Sequence, residues 1–369
     1  MDWVSLANEL GADFGTRAAD HDRDDSFVAE NYAALRERNA FAAGVPSELG
    51  GGGASHAELC QMVRTLARHC GSTGLAFSMH THLVGTLGYA WRSGNKAPET
   101  MLRRVAAEKL ILVSSGGSDW LPGSGTLEKV DGGFRLNGRK IFSSGVPSGD
   151  VLMTTGVYDD PDAGPTVIHF PLSLKAEGVT VLDTWRTLGM RGTGSNDVEI
   201  KDVFVPDAAM QGVRRPAGKW HPFMHTVVLA AFPIFYGAYL GVAEQAKEIA
   251  LGLAARKKQD PMVAVLAGEL ENLIVTAQLA HESMIAITAS ETPGPETTNA
   301  MICRRTIFVK AVTQAAEKAM ELGGGVGFYR SVGLERCFRD LQGARYHPIA
   351  EKPQTLLTGR FLLGLGFDA

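Results

Sequence analysis

The sequence predicts an α+β chain in three stretches: an N-terminal helical domain, a central antiparallel β-domain and a C-terminal helical bundle. Three observations predict it. Apolar residues recur at helical spacing up to about residue 110 and again from about 218. Between those limits, short apolar or alternating runs are separated by Asp, Pro and Gly turns. At the hand-over stands Trp185 to Pro206, WRTLGMRGTGSNDVEIKDVFVP, where a glycine-rich loop leads into an alternating strand stopped by proline. The boundaries are set at 1–109, 110–212 and 213–369. A chain of 369 residues is too long for one simple core, which agrees with several packed units.

Leu6, Leu10 and Phe14 mark one face of a first helix, and Tyr32 and Leu35 lie in a second over Phe27 to Arg38. Ser55 precedes Glu58 by three residues, a capping-box spacing that opens a helix running through Leu66. Gly74 to Ala90 is apolar and carries His80 and His82. Leu110 to Val113 opens the strand region. Thr126 to Val130 and Phe134 to Leu136 flank Asp131-Gly132-Gly133, a hairpin signal, and Asn137-Gly138 marks another turn. Val151 to Val157, Thr166 to Phe170 and Val179 to Leu182 follow, with no βαβ alternation. Helices are then expected over 222–257, 261–290, 297–322, 329–344 and 351–365, with Pro233 kinking or restarting the first.

Composition excludes several classes. Basic residues come mainly as short pairs, so nucleic acid is not the partner. The four cysteines have no metal or disulfide spacing, which predicts no metal site and a reducing, cytoplasmic setting. No charged-then-apolar signal segment and no run of about 18 apolar residues is read, so no membrane role is expected. The apolar stripes of the long helices exceed what a lone core needs, which predicts a homo-oligomer, dimer or tetramer.

Five motifs occur in one order: Val45-Pro46 through Gly51; Leu188-Gly-Met-Arg-Gly-Thr-Gly-Ser195; Val203-Phe-Val-Pro206; Gly324-Gly325-Val-Gly-Phe328; and Glu335-Arg336 with Arg339-Asp340. In that order and spacing the chain resembles the acyl-CoA dehydrogenase superfamily nearly end to end. The resemblance implies a flavin, FMN or FAD, between β-domain and bundle. It implies contacts from Ser114 and Ser118, from Phe142, Ser143 and Ser144, from Arg191, and from Gly324 and Gly325. Ser144 would offer its hydroxyl to the N5 edge of that flavin.

Two departures narrow the resemblance. Where the dehydrogenases keep a catalytic glutamate, this chain reads Ala344-Arg-Tyr-His-Pro348, and the other known place reads His225-Thr-Val-Val228. Where they keep an Arg followed by Phe-Gly for the FAD pyrophosphate, it reads Arg256-Lys-Lys-Gln-Asp-Pro261. Both departures are similar to the two-component flavin monooxygenases, which take reduced flavin from a separate reductase and form a C4a-hydroperoxide. That likeness implies His347, and His80 or His82, as proton-handling groups acting on a small organic substrate, since imidazole titrates near working pH. His80 and His82 are two apart on a helix and cannot point the same way. Two alternatives stay open: an acyl-CoA dehydrogenase with a relocated base, served by an electron-transfer flavoprotein, and a non-catalytic binding or scaffold relative.

Overall fold

The computed structural model describes residues 1–368 apart from 117, 118, 120 and 211. The expected flavin contact Ser118, its neighbour Gly117, and Trp120 therefore lie outside the described residues.

Five helices come first: α1 Trp3–Arg23, α2 Ala29–Glu37, α3 His56–His69, α4 Gly71–Arg92 and α5 Glu99–Glu108. The capping box at the start of α3 is formed: Glu58 N–H donates to Ser55 Oγ, and Ser55 N–H donates back to the Glu58 carboxylate at 2.8 Å. α4 is buried nearly all round, as expected of a helix apolar on every side.

Eight strands follow among the described residues: β1 Leu112–Ser114, β2 Thr126–Val130, β3 Gly133–Lys140, β4 Val151–Asp160, β5 Gly164–Ser173, β6 Val179–Val181, β7 Val198–Pro206 and β8 Arg214–Pro216. They form one sheet in the order β6-β7-β3-β2-β4-β5-β8. Pairing is antiparallel except that β1 and β2 lie parallel to opposite ends of β4. The expected turn at Asn137-Gly138 is not a turn. β3 runs through it, with an irregularity against β7 between Leu136 and Gly138. Asn137 Oδ1 accepts the Asp202 amide at 2.8 Å, and Gly138 packs on Gly125 too closely for a side chain.

The bundle comprises α6 Pro222–Ala254, α7 Pro261–Ser290, α8 Pro295–Gly327, α9 Leu334–Leu341 and α10 Glu351–Leu362. One apolar core joins α1, α3 and α4 to α6, α7, α8 and α9, while the sheet keeps a second core of its own. α3 crosses α6 at Gly237 and Gly241, where an added Cβ would strike backbone of Cys60 and Arg64.

α6 continues through Pro233. Proline has no N–H for the carbonyl four residues earlier, so Leu229 C=O loses its helical partner. Thr288 Oγ1 on α7 supplies a donor to it at 2.8 Å. His56 Nε2 bonds Ala230 C=O and His281 Nε2 bonds Pro233 C=O, each at 2.8 Å. Neighbouring helices thus cap the carbonyls around the break.

Two helices, Pro222–Lys257 and Pro261–Ser290, are long and apolar enough to cross a membrane by length and composition alone, a test that the core helix of a bundle also passes. Most of the most apolar 18-residue stretch of the first is buried, 89% of it, and that helix is the bundle's central element; in the second only 17% of the corresponding stretch is buried. Thr288→Val should lower the unfolding free energy by about 1–3 kcal/mol, because it strands a buried carbonyl. Urea melts should show the midpoint falling with an unchanged slope; an unchanged midpoint would deny Thr288 this capping role.

Candidate active site

The glycine-rich loop ahead of β7 is held from outside. Gly189 sits so close to the Arg339 carbonyl that a side chain would collide with it. The Met190 amide donates to buried Asp340, whose carboxyl burial pushes up to about 6 although that N–H pulls it down. Arg339 bonds Asp22 on α1 at 2.6 and 2.9 Å, Glu335 at 2.6 and 3.1 Å, and the Leu188 carbonyl at 2.9 Å. Arg191 belongs to the same clasp. Its Nε donates to Thr187 C=O at 2.9 Å, its Nη1 to Asp22 C=O at 3.3 Å, and it lies 3.5 Å from Asp25. Its Nε and Nη1 are thus taken by protein groups on the side of the clasp.

The clasped loop faces Phe142-Ser143-Ser144. Phe142 is 53% exposed, has φ 58°, and meets Trp185 edge-on at 5.8 Å. A positive φ on an aromatic residue is strained, and the Ser143 amide on Asn196 C=O (3.2 Å) and the Gly145 amide on Thr193 C=O (2.9 Å) pin the turn after it. Ser144 Oγ and Ser195 Oγ are 2.7 Å apart, as are Ser195 Oγ and Thr193 Oγ1. Thr193 Oγ1 donates to Met190 C=O at 2.9 Å. Each hydroxyl has one hydrogen, so Ser195 donates to Thr193 and Ser144 donates to Ser195. Ser144 then turns only lone pairs outward. Ser143 Oγ is buried and bonds to none of the described residues.

Behind this turn, Lys140 is fully buried at the end of β3. Its ammonium donates to Asp119 Oδ2 at 3.0 Å, Ser124 C=O at 2.7 Å and Thr155 C=O at 2.8 Å. Burial pushes the lysine's pKa down, and the Asp119 charge opposes this. Asp119 also accepts from Ser115 and Ser124. The sequence reading missed Lys140. The signal was present: Phe134, Leu136, Gly138 and Lys140 alternate onto one face of a strand. Ser114 ends β1, which runs into this segment.

The histidines separate. His80 is spent on backbone: the Leu112 amide donates to its Nδ1 at 2.9 Å and its Nε2 bonds Phe41 C=O at 2.7 Å. That removes His80 from the site and corrects its place among the proton-handling candidates. His82, on the other face of α4, meets the Phe235 ring edge-on at 6.2 Å, and its buried Nδ1 has no partner among the described residues. His347 stacks on the same Phe235 at 4.7 Å, with its Nδ1 3.4 Å from Tyr239 Oη. Tyr236 Oη donates to His347 C=O at 2.8 Å. Burial pushes the His82 imidazole down to about 3 and His347 to about 4. Both rings are neutral at pH 7. His225 is bonded to Thr298 and Trp220.

The carboxylates open to a relocated-base reading are committed elsewhere. Glu244 takes Arg64 and Gln278, and Glu269 pairs with Lys318 at 2.7 Å. Gly324 and Gly325 lie at the open end of α8, with nothing of this chain near an added Cβ and with Val326, Phe328 and Tyr329 exposed beside them.

Models of the acyl-CoA dehydrogenase N-terminal, middle and C-terminal domains match residues 7–108, 114–203 and 234–352. The chain belongs to the acyl-CoA dehydrogenase family. Among its relatives is a pigment production hydroxylase of Rhodococcus sp., 28% identical over 95% of this chain and 94% of the relative. Another is the putative acyl-CoA dehydrogenase YdbM of Bacillus subtilis, 26% identical over 94% and 92%. A solved structure of KijD3, in complex with FMN and an amino-keto sugar nucleotide, is 26% identical, with a TM-score of 0.88 over 100% of this chain and 95% of that one.

Acid should destabilise the family member in a defined window. Burial pushes His80, His169, His281 and His347 down to about 4 and His82 to about 3. Each is lowered from an ordinary value near 6.5, so the unfolded chain binds the extra protons as pH falls below that value. Stability should be full above about 6.5 and fall toward 4 by up to about 1.4 kcal/mol per pH unit for each histidine. Denaturant melts at several pH values check the slope; a stability flat from pH 7 to 4.5 would contradict the buried neutral rings.

Proposed function

We propose that the chain is a reduced-flavin-dependent monooxygenase acting on a small organic substrate. The observation that carries this reading is the pair of neutral imidazoles, His82 and His347, in ring contact with Phe235 where a dehydrogenase needs a carboxylate. A thioester α-proton calls for a base with carboxylate character held free at the site. Glu244, Glu269 and Asp340, the side chains closest to that description, are all bonded to other protein groups.

The residues fit a flavin. The Phe142–Trp185 pair gives an apolar wall, and buried Ser143 Oγ is an unused polar atom. Ser144, its hydrogen committed to Ser195, suits a donor such as the N5–H of a reduced flavin. When bound, the reduced flavin supplies two electrons to dioxygen, so that one oxygen atom enters the substrate and the other leaves as water. The protein's own part is to fix the ring against Phe142 and Ser144, exclude water, and take or return a proton at His347 and His82. FMN is the form bound in the similar KijD3 structure, and a separate reductase is the partner such chemistry calls for. The four free cysteines suit a reducing compartment such as the cytoplasm.

The purified protein should bind reduced FMN more tightly than oxidised FMN in anaerobic titrations. Ser195→Ala should narrow that ratio by freeing the Ser144 hydrogen. His347→Ala should keep reduced-flavin affinity and slow substrate oxygenation by about 10²-fold or more. Tightly held FAD bleached by an acyl-CoA without oxygen would sink the proposal in favour of the dehydrogenase. Absence of flavin binding in both redox states would favour the scaffold reading.

The outward face of α7 carries exposed Met262, Val265 and Leu279 beside exposed Ile307 of α8. A second copy of the chain covering this face makes a homo-oligomer, dimer or tetramer. Sedimentation equilibrium should return a multiple of 39.4 kDa; a lone monomer at micromolar concentration would withdraw the assembly.

A further inference from the structure

Arg305 lies in the middle of α8, 1% exposed. A buried charge is costly unless a partner charge offsets it, and none is paired with Arg305 among the described residues. Its Nε donates to Tyr236 Oη at 3.2 Å, and its Nη2 donates to Ala344 C=O at 3.1 Å and Arg345 C=O at 3.0 Å. Its Nη1 is buried and meets no acceptor among the described residues. Tyr236 in turn donates to His347 C=O. The guanidinium therefore ties α8 and α6 to the two residues before Tyr346-His347. Its charge is left to act on whatever lies next to it.

What lies next to it is the site histidine. The groups around His347 are His82 from α4, Tyr236 and Tyr239 from α6, Arg305 from α8, and Arg345 and Tyr346 from its own loop. Asp340 on α9 is the nearest buried carboxylate, and it is bonded to Met190. Glu351 also feels the Arg305 charge, but it is exposed and paired to Lys310 at 3.1 Å. Arg345 points outward to Gln342 at 2.9 Å. Burial is the main cause that pushes the His347 imidazole down, and the Arg305 charge adds to it; His82 and His347 also disfavour each other's protonation.

We propose that Arg305 is a positioning residue for the reaction: its fork holds the His347 segment against α6, and its charge, unpaired among the described residues, adds to burial in opposing a second positive charge beside it, so that His347 enters turnover as a base. This rests on the reading that His347 handles the substrate proton. It also explains why an unpaired guanidinium is retained in an apolar bundle, where methionine would pack with no charge to bury.

The test follows the His347 ring by NMR in the full-length chain labelled at histidine Cε1, with the signal assigned through His347→Gln. In the wild type the ring should titrate well below its ordinary value, near 4. Arg305→Gln keeps an N–H donor for the loop carbonyls and removes the charge. It should raise the midpoint by about one unit or more and move the acid limb of the oxygenation profile upward by the same shift. Arg305→Lys keeps the charge and should hold the midpoint low, while raising KM through the loosened loop. A folded Arg305→Gln protein with an unmoved midpoint overturns the proposal. So does a wild-type midpoint near 6.5, or an Arg305→Lys midpoint that climbs as far as that of Arg305→Gln. The second and third outcomes keep the test decisive if Arg305→Gln does not fold. Normal oxygenation turnover in His347→Ala would instead remove His347, and with it the positioning role of Arg305, from the reaction while leaving the monooxygenase reading standing; the titration would still judge the electrostatic role of Arg305.

Discussion

The site depends on one clasp. Arg339 stands between Asp22 of α1 and Glu335 of its own helix, and Asp340 beside it takes the Met190 amide. These contacts join the first helix, the loop before β7 and the bundle at one point. Half-buried bidentate pairs of this kind are geometrically demanding, and their worth lies in specifying position as much as in energy. Met190, once placed, offers its carbonyl to Thr193 and Trp185. From there the hydroxyl chain runs to Ser144. The orientation of a hydrogen on the exposed turn is thus set by an ion pair on the far side of the loop.

A second constraint is neutrality. The charged side chains near the candidate site are either consumed by one another or placed behind it. Lys140 faces Asp119 beneath the Phe142 turn, and Arg305 lies behind His347. One cluster is left with a ring pair and hydroxyls at Phe142–Ser144, and another with two uncharged imidazoles against Phe235. In such surroundings a small proton transfer is felt strongly, because little else screens or competes with it. This distinguishes the arrangement from one built around a buried carboxylate, whose own desolvation dominates its site.

The fold was legible because its signals are local and periodic. Helical spacing marked α1, α3, α6 and α7, and the Ser55–Glu58 box marked a helix start to the residue. The motif Leu188–Ser195 was legible as a marker but not in its parts. The resemblance implies a flavin contact for Arg191, and only three-dimensional packing brings the Asp22 carbonyl and Asp25 to it. His80 and His82 could be told apart in principle, since two residues on a helix face different ways. Which one faces the site depends on the Leu112 amide, an unpaired donor at the start of β1 that claims His80. The run Asn137-Gly138 failed for a related reason: a turn dipeptide was overruled by β7, which pairs with both sides of it.

Arg305 lies beyond what any local pattern could supply. In sequence it is one of a basic pair on a helix, indistinguishable from Arg304, which bonds Ser283 near the surface. One residue of helical rotation, about 100°, sends Arg304 outward and Arg305 into the bundle. There it meets no carboxylate among the described residues, but the Tyr236 hydroxyl and the carbonyls of a loop whose sequence lacks the glutamate a dehydrogenase would keep. The two facts belong together. A carboxylate brought to that guanidinium would quench its charge; a histidine leaves the charge standing, and burial together with that charge disfavours a proton on the ring. The lost glutamate and the unpaired arginine are then one change in the electrostatics of the site, from a base that carries a negative charge to one that carries none.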